Sequence, residues 1–140
     1  MPFPPPGTTH EIERGERLTP RFDSNGLIPA VAVHAETGEA LMLAWMNAEA
    51  LQLTLDTGVA HYFSRSRQSL WKKGESSGQL QVVEELRVDC DQDAVVLRVR
   101  PQGDGGCCHV GFATCFYRRV ELHQGEARLA LVEASVRTGT

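Results

Sequence analysis

The stretch QLQVVEELRVDCDQDAVVLRVR, Gln79–Arg100, decides the fold. Its apolar residues alternate at Leu80 and Val82, then at Leu86 and Val88, and resume in AVVLRVR after an acidic cluster. Period-two alternation places successive side chains on opposite faces, so the pattern predicts long paired strands bent near Asp91 to Asp93. Inside it Asp89, Asp91 and Asp93 occupy every second position, with Cys90 wedged between the first two. On an extended backbone the three aspartates share one face and Cys90 looks the other way.

Upstream, GLIPAVAVHAETGEALMLAWMN reads as two strands, roughly Leu27 to Val33 and Ala40 to Met46, turning at Thr37-Gly38. Asn47 is a good N-cap, Glu49 suits the positive end of a helix, Leu51 and Leu55 repeat at helical spacing, and Gly58 suits the far end. A short amphipathic helix from Ala48 to Thr57, lying on a sheet, is therefore expected. A brief strand from Val59 to Ser64 precedes RSRQSLWKKGESSG, which reads as a long functional loop. A cysteine-bearing loop and a strand around Phe116 to Leu122 follow. The expected organisation is a mobile proline-rich leader over 1–20, one catalytic domain over 21–123 and a tail of low specificity over 124–140.

The chain has 140 residues, 41% hydrophobic and 23% charged, enough for one domain with a real core. MPFPPPGTTH is too rich in proline to be the apolar region of a signal peptide, and ALMLAWM, the longest apolar run, is far short of the roughly 20 residues that span a bilayer. A cytoplasmic protein with no membrane partner is expected. A net charge of -4 and a pI near 5.7 argue against a surface built for nucleic acid, because phosphate neutralisation supplies most of that affinity. Four cysteines in such a chain point to reduced thiols, metal ligands or catalytic groups rather than a disulfide frame.

Three close carboxylates repel one another unless a cation offsets them, and oxygen donors suit Mg2+ or Ca2+; a solvated acidic turn is the plain alternative. Cys90 would prefer a softer ion, and Cys108 and Cys115 lie downstream in GGCCHVGFATCFYRR. Zinc on three thiolates keeps a fourth position for water, as catalytic sites do. The alternatives are buried cysteines acting as small hydrophobes, or Cys107 or His109 closing a structural site. His109 and His61 are the candidate proton carriers. The segment with Arg65, Arg67, Lys72, Lys73, Ser76 and Ser77 carries phosphate donors, and Trp71 could stack on a base.

Taken together, GLIPAVAVHAETGEALMLAWMN, HYFSRSRQSLWKKGESSG, DCDQD and CHVGFATCFYR resemble the phosphoribosyl-AMP cyclohydrolase family, over roughly Phe22 to Arg118. That resemblance implies an α+β, mainly β fold: antiparallel strands in a twisted sheet or pseudo-barrel with a short helix, in an intertwined homodimer with active sites between subunits. It implies hydrolytic opening of the adenine ring of phosphoribosyl-AMP, a step of histidine biosynthesis. It assigns one Zn2+ per subunit to Cys90, Cys108 and Cys115, with Cys90 from one chain and the other two from its partner. One Mg2+ per subunit goes to Asp89, Asp91 and Asp93, and Arg65, Arg67, Trp71, Lys73, Ser76 and Ser77 are expected to hold the substrate. Two positions depart from the family pattern: Gln79 stands where histidine is usual after Ser-Gly, and Cys107 where a small residue is usual. Two other readings compete. HAE at His34 to Glu36 matches half of a zinc nucleobase deaminase signature whose Pro-Cys-x-x-Cys half is absent. A non-catalytic binding module would instead close a structural zinc site with all four cysteines.

Overall fold

A computed structural model describes residues 3–132. Two hairpins form its centre. The first joins β1 (Ile28–His34) to β2 (Ala40–Met46), and the second joins β5 (Gln81–Val88) to β6 (Val95–Pro101). They lie side by side as one sheet in the order β2-β1-β6-β5. Each hairpin is antiparallel, but the central β1 and β6 run parallel, Ala30 opposite Val95 and His34 opposite Val99, so the sheet is mixed where an antiparallel one was expected. Burial alternates along both central strands: Ile28, Ala30 and Ala32 on β1, and Val95, Leu97 and Val99 on β6, all face the core.

That core is closed by α2 (Ala48–Thr57), which contributes Ala50 and Leu51. The Asn47 side chain accepts from the Ala50 N–H at 2.8 Å and so caps the first turn, while Gly58, at φ 75°, supplies the left-handed residue that ends the helix. Both boundaries agree with the expectation. The following segment departs from it: β3 (His61–Ser64) is answered by β4 (Ser69–Lys72) inside the stretch expected to be loop. Tyr62 faces Trp71 and Phe63 faces Leu70, and these cross-strand pairs hold the hairpin.

Two further pieces lie at the ends. A six-residue helix, α1 (Thr9–Arg14), stands within the proline-rich leader, started by a capping box between Thr8 and Glu11. Downstream, β7 (Arg118–His123) and β8 (Glu126–Leu131) form a separate two-stranded arm, β8 lying where only tail was expected; the rest of that tail, 133–140, lies outside the described residues. Among the described residues no helix is long and apolar enough to cross a membrane.

Candidate functional site

The strands bend near Asp91 to Asp93 as expected, but the acidic segment is a turn rather than extended strand. It closes the β5–β6 hairpin through Asp89 N–H to the Ala94 carbonyl and Gln92 N–H to the Asp89 carbonyl, both 3.1 Å. Opposed strand faces therefore do not separate the aspartates from Cys90, as the alternation implied; the curvature of the turn gathers the carboxylates. One oxygen from each of Asp89, Asp91 and Asp93 lies within 4.8 Å of the others, and among the described residues no other trio of His, Cys, Asp or Glu comes so close. Desolvation pushes the Asp89 carboxyl up, but hydrogen bonds from the Asp93 side chain and the Asp93 and Ala94 N–H groups outweigh it and hold it below the usual range. Asp93 is pushed up to about 6, first by hydrogen bonding to Asp91 and Asp89, then by desolvation and their charge. A hard cation bound by all three would relieve that repulsion, and carboxylate oxygens are the donors such a cation takes.

The thiols lie at the other end of the sheet. The Cys115 N–H donates to the Leu41 carbonyl at 2.7 Å, and the Thr114 hydroxyl donates to the Ala40 carbonyl at 2.8 Å, so β2 anchors the cysteine loop. Within that loop Cys108 N–H meets the Phe112 carbonyl at 3.1 Å, folding Cys108 back onto Cys115. Partial burial pushes the Cys115 thiol up to about 11; the hydrogen-bonded Cys108 beside it adds to this, and Lys73 opposes it. Two adjacent sulfurs suit a soft cation, which would hold both as thiolates. Cys107 turns inward, belongs to the hydrophobic core and accepts a 3.5 Å hydrogen bond from Gln81, so it does not join the pair as a fourth ligand. Cys90, exposed on the acidic turn, is not brought to Cys108 and Cys115 within one chain.

His109 follows Cys108 and is exposed on the loop. His61 is buried, and its Nδ1 lies 2.8 Å from the Val59 carbonyl while its N–H donates to the Thr54 hydroxyl of α2. It alternates with Tyr62, whose hydroxyl donates to Gln81 on the way to Cys107. Tyr62 therefore faces the cysteine loop, and His61 the opposite side of β3.

Arg65, Arg67 and Trp71 line one open cleft, and the other tryptophan of the chain, Trp45 of β2, lines it too, with the Arg65 guanidinium 4.6 Å from its ring centre. Trp45 was not among the residues expected to bind substrate. It also lines the neighbouring hollow that holds Asp93 and Arg21, and so connects the cationic cleft to the acidic turn. Lys73 donates from Nζ to the Cys107 carbonyl at 2.6 Å, tying β4 to the cysteine loop, while Ser76 and Ser77 stand exposed on the turn beyond. Gln79 accepts from Asp104 N–H at 3.0 Å and so braces the approach to Cys107. Glu36 is ion-paired with Arg100 at the surface, which gives the HAE triplet a structural role.

The chain matches the phosphoribosyl-AMP cyclohydrolase family over residues 42–117. It is 72% identical over 116 residues to the phosphoribosyl-AMP cyclohydrolase of Caulobacter sp. (strain K31), covering 83% of this chain and 87% of that one. It is 69% identical to the protein of that name from Caulobacter vibrioides (strain NA1000 / CB15N), over 85% of this chain and 86% of the relative. For Sinorhizobium fredii (strain NBRC 101917 / NGR234) the identity is 54%, over 95% and 88%. With more than half its length matched to the family and such identity to full relatives, the chain belongs to the phosphoribosyl-AMP cyclohydrolase family.

Proposed function

We propose that this chain performs its family's reaction, the hydrolytic opening of the adenine ring of phosphoribosyl-AMP at the C6 to N1 bond in histidine biosynthesis, as a homodimer with one zinc and one magnesium per subunit. Cys108 and Cys115 with a third thiol, Cys90, make a soft donor set that leaves a fourth position for water, and Asp89, Asp91 and Asp93 make a hard one. Zinc, when bound, supplies Lewis-acid activation of the water that attacks C6. His109, beside Cys108, moves the proton of that water. His61 is the second candidate; with Nδ1 committed to the Val59 carbonyl, only its Nε2 could exchange a proton. Arg65 and Arg67, with Ser76, Ser77 and Lys73, supply donors for phosphate, and Trp71 and Trp45 offer flat apolar faces to the purine, so that binding remote from C6 fixes the attack geometry.

The dimer is supported by two features. Among the described residues Cys90 does not cluster with Cys108 and Cys115 of its own chain, so as their third ligand it would come from a partner. On the β7–β8 arm, Val120, Leu122, Leu129 and Leu131 share one face, and each is more than half exposed. A contiguous apolar face of this kind needs cover, and a second copy offers the same surface in return. The open sheet leaves room for closure into a pseudo-barrel across that interface. The observation that carries the reading is the meeting of Cys108 and Cys115 on a loop that β2 and Lys73 hold in place. Purified protein incubated with phosphoribosyl-AMP should open the ring, followed by absorbance, and a zinc chelator should stop it. Turnover that survives complete removal of zinc would overturn the metal assignment, and no product from metal-replete protein would overturn the activity.

A further inference from the structure

Gln92 is the one residue of Asp89–Asp93 that is neither acid nor thiol, and it is the buried one, only 4% exposed. Its backbone is left-handed, at φ 57°, a conformation uncommon for a residue without a short polar side chain and one that needs support from its surroundings. That support comes from outside the turn. Gln92 Oε1 accepts from Thr19 N–H at 2.8 Å, its Nε2 donates to the Ile12 carbonyl at 2.9 Å and more weakly to that of Arg17, and its own carbonyl accepts from Arg21 N–H at 2.7 Å. Four bonds thus tie one residue, set between Asp91 and Asp93, to the segment that precedes the sheet. The same segment walls the recess in which Asp89 and Cys90 lie, with Ile12, Gly15 and Leu18 facing them.

We infer that Gln92 is a positioning residue through which the N-terminal segment holds the acidic turn closed, so that docking of residues 12–21 sets the affinity of Asp89, Asp91 and Asp93 for a hard divalent cation. The inference rests on the magnesium assignment made above. Carboxylates held within 4.8 Å push apart, and the turn has to resist that push. Inside the turn Asp89 accepts two backbone N–H bonds; outside it, the buried Gln92 amide clamps the left-handed corner. Without the amide the corner can relax and the three oxygens part. The coupling is reciprocal: whatever cation binding gains from the docked segment, the docked segment gains from the cation.

Two measurements on full-length, zinc-loaded protein test this. Mn2+ serves as the probe, and its binding is titrated by electron paramagnetic resonance in the wild type and in Gln92→Gly, which keeps the left-handed backbone without strain but removes the amide. The variant should bind Mn2+ about 10- to 100-fold more weakly with its zinc content unchanged. The second measurement needs no variant: amide hydrogen exchange of Thr19 and Arg21 in the wild type should slow when Mg2+ is added. Wild type and Gln92→Gly binding Mn2+ equally, or exchange indifferent to Mg2+, would overturn the positioning role while leaving the magnesium assignment intact. A wild type that binds no Mn2+ would remove that assignment, and this inference with it.

Discussion

A zinc site shared between chains makes a quantitative demand on mixed dimers. Within one chain Val95 of β6 pairs with Ala30, whereas Ala40 of β2 pairs with Val33, three residues further along β1. At ~3.3 Å per residue and ~4.8 Å per strand spacing, the strand ends that carry the acidic turn and the cysteine loop lie roughly 14 Å apart across the sheet, before the turn adds its own length. Sulfurs on one zinc ion lie within about 4.6 Å of each other, because each Zn–S bond is about 2.3 Å. Cys90→Ser should therefore destroy one half of a shared site and Cys108→Ser the other half. Each homodimer should be inactive and depleted of zinc. In a heterodimer of the two, one site collects both lesions and the other collects none. Random pairing makes half the dimers mixed, so co-expressed variants should recover about a quarter of the wild-type activity and of the catalytic zinc, given symmetric association. The assay is ring opening by absorbance, with metal content on the same sample. Co-expressed protein as inactive as either parent would refute the shared site, and activity in Cys90→Ser alone would remove Cys90 from the ligands.

Four other substitutions test the remaining parts. Asp91→Asn should weaken the magnesium dependence of turnover while leaving zinc bound, read by activity against Mg2+ concentration and metal analysis; loss of zinc would contradict two separate sites. Leu122→Asp, on the apolar face of the arm where Leu122 is 80% exposed, should shift the protein toward monomer in analytical ultracentrifugation. At about 2 kcal/mol per leucine, counted twice in a symmetric interface, the dissociation constant should rise roughly 1,000-fold. Trp45→Ala should raise KM for phosphoribosyl-AMP more than it lowers kcat, since the ring lines the cleft beside Arg65 without reaching the thiols. Tyr62→Phe should cost about 1–3 kcal/mol in urea unfolding, because it removes the partner of the fully buried Gln81 side-chain oxygen at 2.6 Å. Burial raises the Tyr62 phenol far above its ordinary range, so this loss should not vary between pH 6 and 9.

Local signals were legible where one residue type forces one geometry. Asn47 and Gly58 bracket α2 because an amide caps the first turn and only glycine turns left-handed without strain at the last. The alternation of β5 and β6 shows in the sequence because one face meets water. The bend near Asp91 to Asp93 was legible, but aspartates at every second position imitate a strand, and the corner that gathers them is Gln92, a residue that does not announce a turn. The parallel pairing of β1 with β6 joins residues about 65 apart in sequence and leaves no local trace. Leu70 and Trp71 are too few to signal β4, whose partner β3 supplies half its packing. Two signals were present but unread. Thr8 and Glu11 form a capping box under proline-rich composition, and Gln124-Gly125, both at positive φ, is a two-residue turn between the alternating β7 and β8. Trp45 sits within an apolar run that reads only as strand, although its ring opens to the cleft.

The placement of the two donor sets follows from this topology. The β5–β6 turn emerges at one end of the sheet and the β1–β2 hairpin holds the cysteine loop at the other, so a single chain keeps Cys90 and the carboxylates apart from Cys108 and Cys115. The arm has the complementary deficiency. A two-stranded hairpin is marginal in water by itself, and among the described residues β7 and β8 pair only with each other, with Val120, Leu122, Leu129 and Leu131 exposed on one face. In the proposed dimer one second copy would remedy both at once, covering the arm and delivering Cys90 to a partner's Cys108 and Cys115. Zinc occupancy, arm protection and dimer population should then rise and fall together with protein concentration, because anything that binds only the assembled state stabilises it by mass action. Hydrogen exchange in the arm that stays fast while the catalytic site is fully loaded with zinc would separate the two events and break this argument.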